Sequence, residues 1–119
     1  MQYFLKKIGL ISLFFVSFSL AGTAQAAEET NTTSKIHIIE IRDFEFVPKN
    51  LTVRLGDQVR WVNKDIAPHT ATATDSGKSF NSSKLSRDEG WAFTATSSGV
   101  TPYICAFHPL MKGTITVKD

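Results

Sequence analysis

Beyond residue 34 the chain is a series of short segments in which apolar and polar residues alternate. The clearest runs from Leu51 to Leu55 and is followed by a Gly56-Asp57 turn. A period of two is typical of half-buried strands, and no stretch in this region keeps the 3.6-residue period of a helix. About seven or eight strands at this spacing predict an all-β fold, an antiparallel β-sandwich. The aromatic residues that we expect in or beside its core are Phe44, Phe46, Trp61, Phe80, Trp91 and Phe93.

The first 26 residues have the features of an export signal. Lys6 and Lys7 precede an apolar run from Ile8 to Ala21, and Ala24-Gln25-Ala26 supplies the small residues of a cleavage site. The run is shorter than the roughly 20 residues that span a bilayer, so we expect cleavage and no stable membrane insertion. The predicted organisation is a signal peptide (1–26), a flexible lead (27–34) and one domain (35–119) that is located in the periplasm.

The exported part of the chain carries no net charge. Removing Lys6 and Lys7 from the 13 basic residues leaves 11, against 11 acidic ones. That balance excludes the basic surface of a nucleic-acid-binding protein. The length allows one hydrophobic core, and we expect a monomer.

Cys105 is the only cysteine of the chain. In an oxidising compartment an unpaired cysteine is intermolecular, reactive or bound to a metal. His108 follows it by three residues and Met111 by six, and a second histidine, His69, lies upstream in an Ala-Pro-His-Thr segment. A thiolate, two imidazoles and a thioether suit a soft, redox-active metal, and this set is typical of a blue-copper electron-transfer centre.

Other uses of these residues explain less of the sequence. Zinc is bound by cysteine, histidine and carboxylates, which leaves Met111 without a purpose. A cysteine nucleophile needs a histidine from elsewhere in the fold, an orienting group and an oxyanion hole. The sequence indicates no candidate residues for these roles. We therefore predict that the protein is not an enzyme. His37 lies in a strand whose alternate residues are polar, and we interpret it as a solvated surface histidine.

Three segments resemble the cupredoxin, or type 1 blue-copper, family: Phe44–Asn63, Ala67–His69 and Tyr103–Gly113. The last is the most specific, because a two-residue gap between His108 and Met111 is typical of the amicyanin-like members. The resemblance implies a Greek-key sandwich that holds one copper ion per chain. It assigns the metal ligands to His69, Cys105, His108 and Met111.

The resemblance further implies a small soluble periplasmic protein that carries single electrons as its copper cycles between Cu(I) and Cu(II). Amicyanin-like proteins are associated with amine-oxidising dehydrogenases and c-type cytochromes, so the expected partners are periplasmic redox proteins of this kind. The same ligands would also serve a periplasmic copper carrier or buffer that delivers copper to an apo-protein. A third hypothesis is a purely structural secreted sandwich that binds no metal.

In the family, the imidazole edge of the C-terminal histidine ligand reaches the surface, which implies the same for His108. The apolar docking patch expected around it consists of Pro68, Phe107, Pro109 and Leu110, with Lys64 and Lys112 at its rim.

Two residues near the ligands, Thr70 and Phe107, depart from those of family members, and Pro102 is unusual within a strand. Thr70 stands where family members commonly have Asn, and its hydroxyl is expected to replace only part of the bonding between the His69 loop and the ligand loop. Phe107, unlike a proline at this position, has a backbone N–H that is expected to donate to the cysteine sulfur. Pro102 predicts that the strand before Cys105 is an edge strand or is bulged.

Overall fold

The computed structural model describes Gly22 and residues 33–119, which contain eight β-strands. The strands are β1 (Ile36–Arg42), β2 (Glu45–Val47), β3 (Asn50–Arg54), β4 (Gln58–Asn63), β5 (Thr72–Ala73), β6 (Gly90–Thr94), β7 (Gly99–Ile104) and β8 (Lys112–Lys118). The predicted signal peptide (1–26), apart from Gly22, and most of the predicted lead (27–34) lie outside the described residues. Within the described ranges, no helix has the length and apolar character needed to cross a membrane.

The strands form two four-stranded sheets, and the predicted all-β sandwich is confirmed. The strand order is β2-β1-β4-β6 in the first sheet and β3-β8-β7-β5 in the second. Each sheet contains one parallel pair, β1 with β4 and β3 with β8, and its remaining pairs are antiparallel. The sheets are therefore mixed, whereas we predicted antiparallel ones. Alternation along a strand reports which face is buried and says nothing about the direction of the neighbouring strand.

The core lies between the two sheets and is built from alternate residues of the central strands. In β4 the buried positions alternate with more exposed ones, and β8 shows the same pattern. Trp61 of β4 is fully buried, and its ring centroid lies 5.4 Å from that of Tyr103 and 5.1 Å from that of Phe80. Aromatic contacts across the core thus join β4 of the first sheet to β7 of the second.

Pro102 lies in β7, between β8 and β5, and the β7–β8 register runs without a bulge, so the prediction of an edge or bulged strand is wrong. The carbonyl of Pro102 accepts a hydrogen bond from the Thr74 N–H at 3.0 Å, just beyond the end of β5. The N–H and C=O of one residue in an antiparallel pair point to the same side. The missing N–H of Pro102 therefore faces the short β5, and the pairing with β8 loses no donor.

Gly113 of β8 pairs with Tyr103 of β7. The Tyr103 ring covers Gly113 so closely that a Cβ at position 113 would overlap its Cζ and Oη atoms. Glycine is therefore required by the packing of one aromatic ring at the point where the ligand loop returns to the sheet.

Asp57, in the turn before β4, is a buried acid with several hydrogen bonds. Its carboxylate accepts the N–H of Lys35 at 2.9 Å and of Arg54 at 3.0 Å, and Nε2 of His37 lies 2.8 Å from it. These bonds, led by the one from Lys35, hold the pKa of Asp57 well below its usual range. His37 is thus partly buried beside a carboxylate, where we had predicted a solvated side chain.

We expect Gly113→Ala to lower the free energy of unfolding by about 1–3 kcal/mol, because the added methyl group overpacks the Tyr103 ring. Tyr103→Phe is the control, since the Tyr103 hydroxyl is buried without a hydrogen-bond partner among the described residues. Removing that hydroxyl should leave stability unchanged or higher. Urea denaturation of both variants measures the difference, and a Gly113→Ala protein as stable as the parent would contradict the packing argument.

The lowered pKa of Asp57 makes stability depend on pH. In the unfolded chain the carboxyl takes up its proton near its ordinary value of 3.8, while in the folded protein it stays ionised to lower pH. The folded state therefore loses stability as pH falls below that value. We expect Asp57→Asn to be less stable than the parent at neutral pH and to lose less stability on acidification. Unfolding curves of both proteins at neutral and acidic pH measure the difference. Equal losses of stability on acidification in the parent and in Asp57→Asn would show that Asp57 makes no contribution.

Candidate metal centre

The loop between β7 and β8 carries Cys105, His108 and Met111, and backbone hydrogen bonds join these three residues to one another. The Cys105 N–H donates to the Met111 carbonyl at 3.1 Å, and the Met111 N–H donates to the His108 carbonyl at 2.9 Å. The His108 N–H donates in turn to the Cys105 carbonyl at 3.2 Å. The short spacing in the sequence thus produces a compact loop in which the three residues have fixed relative positions.

His69 reaches the same place from the segment before β5. Its backbone forms an isolated antiparallel bridge with Leu85, with N–H···O distances of 3.1 and 2.8 Å. The side chain is fully buried, and its Nδ1 atom faces the ligand loop. His37, by contrast, lies outside this cluster of donor atoms.

Three donor atoms converge between the loop and His69. Cys105 Sγ lies 3.6 Å from Nδ1 of His69 and 3.6 Å from Nδ1 of His108, and the two Nδ1 atoms are 3.2 Å apart. A point equidistant from the three lies about 2 Å from each, close to the usual length of metal–nitrogen and metal–sulfur bonds. A shared cation accounts for two imidazole nitrogens and a thiol at these distances.

Met111 completes the set that the sequence predicted. It is buried, with 6% of its surface exposed, and it is linked through its backbone to both Cys105 and His108. The four residues together have the arrangement of a type 1 copper site: two imidazoles, a thiolate and a thioether. The donor chemistry therefore fits copper, and Met111 distinguishes it from a zinc site.

Asp65 orients His69, a role that the sequence analysis missed. Its Oδ2 lies 2.8 Å from Nε2 of His69, and the carboxylate also accepts the N–H groups of Asp43 at 2.8 Å and Phe44 at 3.0 Å. Burial alone would raise the pKa of Asp65, but the bonds from Phe44, Asp43 and His69 outweigh it and the pKa is lowered. An ionised Asp65 favours a proton on Nε2 and leaves the Nδ1 lone pair for a metal.

Asn63 anchors the segment that contains Asp65 and His69 through hydrogen bonds of its side chain. Its amide group donates to the carbonyls of Ala67 and Leu85, each at 2.9 Å, and its carbonyl oxygen accepts the Asp65 N–H at 2.9 Å. The side chain is fully buried at the end of β4. Asn63 belongs to the first of the three segments that carry the family resemblance, but nothing in the sequence alone showed which loops it joins.

Thr70 connects the His69 segment to the ligand loop in two ways. Its hydroxyl accepts the Ala106 N–H at 2.8 Å, and its own N–H donates to Cys105 Sγ at 3.4 Å. The threonine therefore does link the two loops. The donor that we expected from Phe107 is not found, because among residues 33–119 the backbone N–H bonded to the sulfur is that of Thr70. The prediction for Phe107 is wrong.

Phe44 was predicted as an aromatic in or beside the core, and about half of its surface is exposed (51%). Its ring stands nearly perpendicular to both imidazoles, with centroid distances of 5.1 Å to His69 and 5.0 Å to His108. Phe46, its neighbour in β2, is buried as predicted. Phe44 is thus a cover over the two histidines rather than a part of the core.

His108 is partly exposed, unlike Cys105 and His69, and exposed apolar side chains surround it in the chain. Leu110 is 92% exposed, Phe107 50%, and Ile66 of the His69 segment 85%. Pro68 and Pro109 are also exposed, as predicted for the patch. Of the two predicted rim lysines, Lys64 lies 3.5 Å from Asp88 and is therefore partly neutralised.

Comparison with known proteins agrees with this site. A family model described as copper-binding proteins of the plastocyanin/azurin family matches residues 33–118. The chain belongs to this family. Its cofactor is copper, and its fold is that of a cupredoxin.

Individual relatives are similar to this cupredoxin over most of its described part. It is 27% identical over 85 residues to amicyanin from Paracoccus versutus, which covers 68% of this chain and 64% of that protein. A purple cupredoxin from Nitrosopumilus maritimus is similar in structure, with 29% identity and a TM-score of 0.63 over 69% of this chain and 99% of the other. A copper-containing nitrite reductase from Thermus scotoductus has 31% identity and a TM-score of 0.65, over 70% of this chain and 22% of the reductase. The chain thus spans less than two thirds of the amicyanin and a small part of the reductase.

Proposed function

We propose that this cupredoxin is a periplasmic carrier of single electrons, in which His69, Cys105 and His108 would be the strong copper ligands and Met111 a weak one. The observation that carries the proposal is the convergence of two Nδ1 atoms and one Sγ atom at 3.2–3.6 Å beside a buried methionine. Copper bound by such a set supplies a couple between Cu(I) and Cu(II).

The protein holds each of these residues through contacts that do not involve a metal. Asp65 fixes the His69 ring through Nε2, and backbone bonds fix the loop from Cys105 to Met111. Thr70 then ties the two parts together. A site held in this way changes little when one electron is added or removed, which supports fast electron transfer.

The burial of the ligands favours electron transfer over copper delivery. Cys105 and His69 are fully buried, and His108 is the only one of the three nitrogen and sulfur donors that is partly exposed. Handing copper to another protein requires incoming ligands to reach the ion, whereas an electron needs only a surface contact with a ligand edge. We therefore place copper delivery second.

The same enclosure is the reason why we propose no enzymatic activity for this chain. A catalytic metal site keeps a position open for substrate or water. Here the fourth proposed ligand, Met111, would take such a position, and it is itself buried. The nitrite reductase that it resembles is a much longer protein, of which this chain spans 22%.

Location and partners follow from the sequence features and the family resemblance. We infer cleavage of a signal peptide (1–26), a short lead (27–34) and a monomeric domain (35–119) in the periplasm. The proposed partners are periplasmic redox proteins, such as an amine dehydrogenase and a c-type cytochrome. They would dock on the exposed apolar patch around His108.

The purified domain loaded with Cu(II) should be intensely blue, because a copper-bound thiolate gives a strong charge-transfer band. Cys105→Ala should be colourless, and Met111→Leu should stay blue with a changed spectrum because only a weak ligand is lost. Visible absorption combined with a metal assay tests this assignment. A wild-type protein with full copper occupancy and no blue band would contradict it.

Leu110→Glu should slow electron exchange by about tenfold or more, since like charges brought together at a contact cost several kcal/mol and 1.4 kcal/mol is tenfold. NMR of mixed Cu(I) and Cu(II) samples measures exchange between two copies of the protein. Val100→Glu is the matched control, because Val100 is also exposed but lies near the start of β7, away from the ligand loop. Both variants should keep the blue spectrum. Equal slowing in both would show that net charge, and not docking at Leu110, determines the rate.

A further inference from the structure

Phe44 combines an exposed ring with an unusual backbone. Asp43 and Phe44 have φ values of 53° and 60°, in the left-handed region that non-glycine residues rarely adopt. The two residues form the two-residue loop of the β1–β2 hairpin, where positive φ values at both positions match the twist of the strands. Phenylalanine is not among the residues that this turn favours, and the Phe44 ring is only half buried. Backbone strain of this kind occurs preferentially at functional sites.

The strained turn is held by the acid that also orients His69. Both the Asp43 and the Phe44 N–H groups donate to Asp65, whose carboxylate lies 2.8 Å from His69 Nε2. The position of the Phe44 ring is therefore coupled directly to the position of one imidazole. Its T-shaped contact with His108 extends this coupling to the other.

His69 and His108 differ in how they are oriented. The second ring nitrogen of His69 is bonded to Asp65, but among the described residues Nε2 of His108 has no hydrogen-bond partner. In metal-binding histidines a bond from this nitrogen to a carboxylate, a backbone carbonyl or water orients the ring. For the partly exposed His108, the edge-to-face contact with Phe44, at 5.0 Å and 85°, is a protein contact that restrains the ring.

Phe44 also lines a groove beside the site. The groove has a volume of about 470 Å³ and is lined by Phe44, His108, Leu110 and Met111, among others. Removing the ring would widen the groove on the side of the site that His108 and Met111 form. Water close to the ion stabilises the more highly charged Cu(II) relative to Cu(I).

We propose that Phe44 is a positioning residue of the copper site: its edge-to-face contact restrains the His108 ring, and its bulk narrows the access of water to the site. This inference rests on the proposed copper ligands. Its consequence is that Phe44 keeps His108 ordered and raises the reduction potential without itself binding the metal.

The test compares Phe44→Ala with Phe107→Ala. Phe107 is the matched control, because it is exposed to the same extent, 50% against 51%, and no aromatic contact joins it to either histidine. In the copper-free protein, NMR relaxation of the His108 ring should show more motion in Phe44→Ala than in the parent or Phe107→Ala. In the copper protein, the reduction potential of Phe44→Ala should fall. The equilibrium between Cu(I) and Cu(II) should shift about three- to tenfold toward Cu(II), where tenfold equals 59 mV.

Phe44→Leu and Phe44→Tyr distinguish the effect of the aromatic contact from the effect of side-chain volume. Tyrosine should preserve both the His108 order and the potential, whereas leucine should restore only part of the potential and leave His108 mobile. Leucine also provides the measurement if Phe44→Ala fails to fold. A blue parent protein whose Phe44 variants match it in potential and in His108 motion would overturn the inference. A parent that binds copper without turning blue would instead contradict the proposed ligands.

Discussion

The carboxylate of Asp65 joins the turn between β1 and β2 to the segment that carries His69. It accepts two N–H groups from the turn between β1 and β2 and is bonded to the ring of His69, while Asn63 fixes its backbone to the end of β4. Without this acid, the turn with Phe44 and the first predicted ligand would have no common anchor. The geometry of the metal centre therefore depends on one ionised group that does not itself face the metal.

The two acids that flank β4 have the same bonding pattern but different consequences. Asp57 accepts two backbone N–H groups and pairs with Nε2 of His37, just as Asp65 accepts two and pairs with Nε2 of His69. Only His69 places its other nitrogen against a thiol and a second imidazole. A buried acid that orients a histidine therefore stabilises the fold at either place, and it creates a metal site only where further donors converge.

The sequence allowed the candidate ligands to be predicted because three of them lie within seven residues. Their short spacing leaves the loop few conformations, and their donor types select the metal. The strands were predictable from their alternation, but their mixed directions and the internal place of β7, which contains Pro102, were not. The role of Phe44 could not be predicted, because its contacts with His69 and His108 join segments far apart in the sequence and no local pattern records them. Asp65 lies only four residues before His69, but the two backbone bonds that hold its carboxylate come from the distant Asp43-Phe44 turn.

The contrast between Thr70 and Phe107 shows the same limit at shorter range. The position of Phe107, two residues after the cysteine, suggested a hydrogen bond to the sulfur, yet the N–H that reaches Sγ comes from Thr70, 35 residues before Cys105. The Thr70 hydroxyl in turn accepts the N–H of Ala106. These reciprocal bonds connect the two loops that supply the proposed ligands, so one residue both donates to the sulfur and links the loops. A change at Thr70 would alter both together, whereas a change at Phe107 would act mainly on the exposed surface through which we propose that electrons pass.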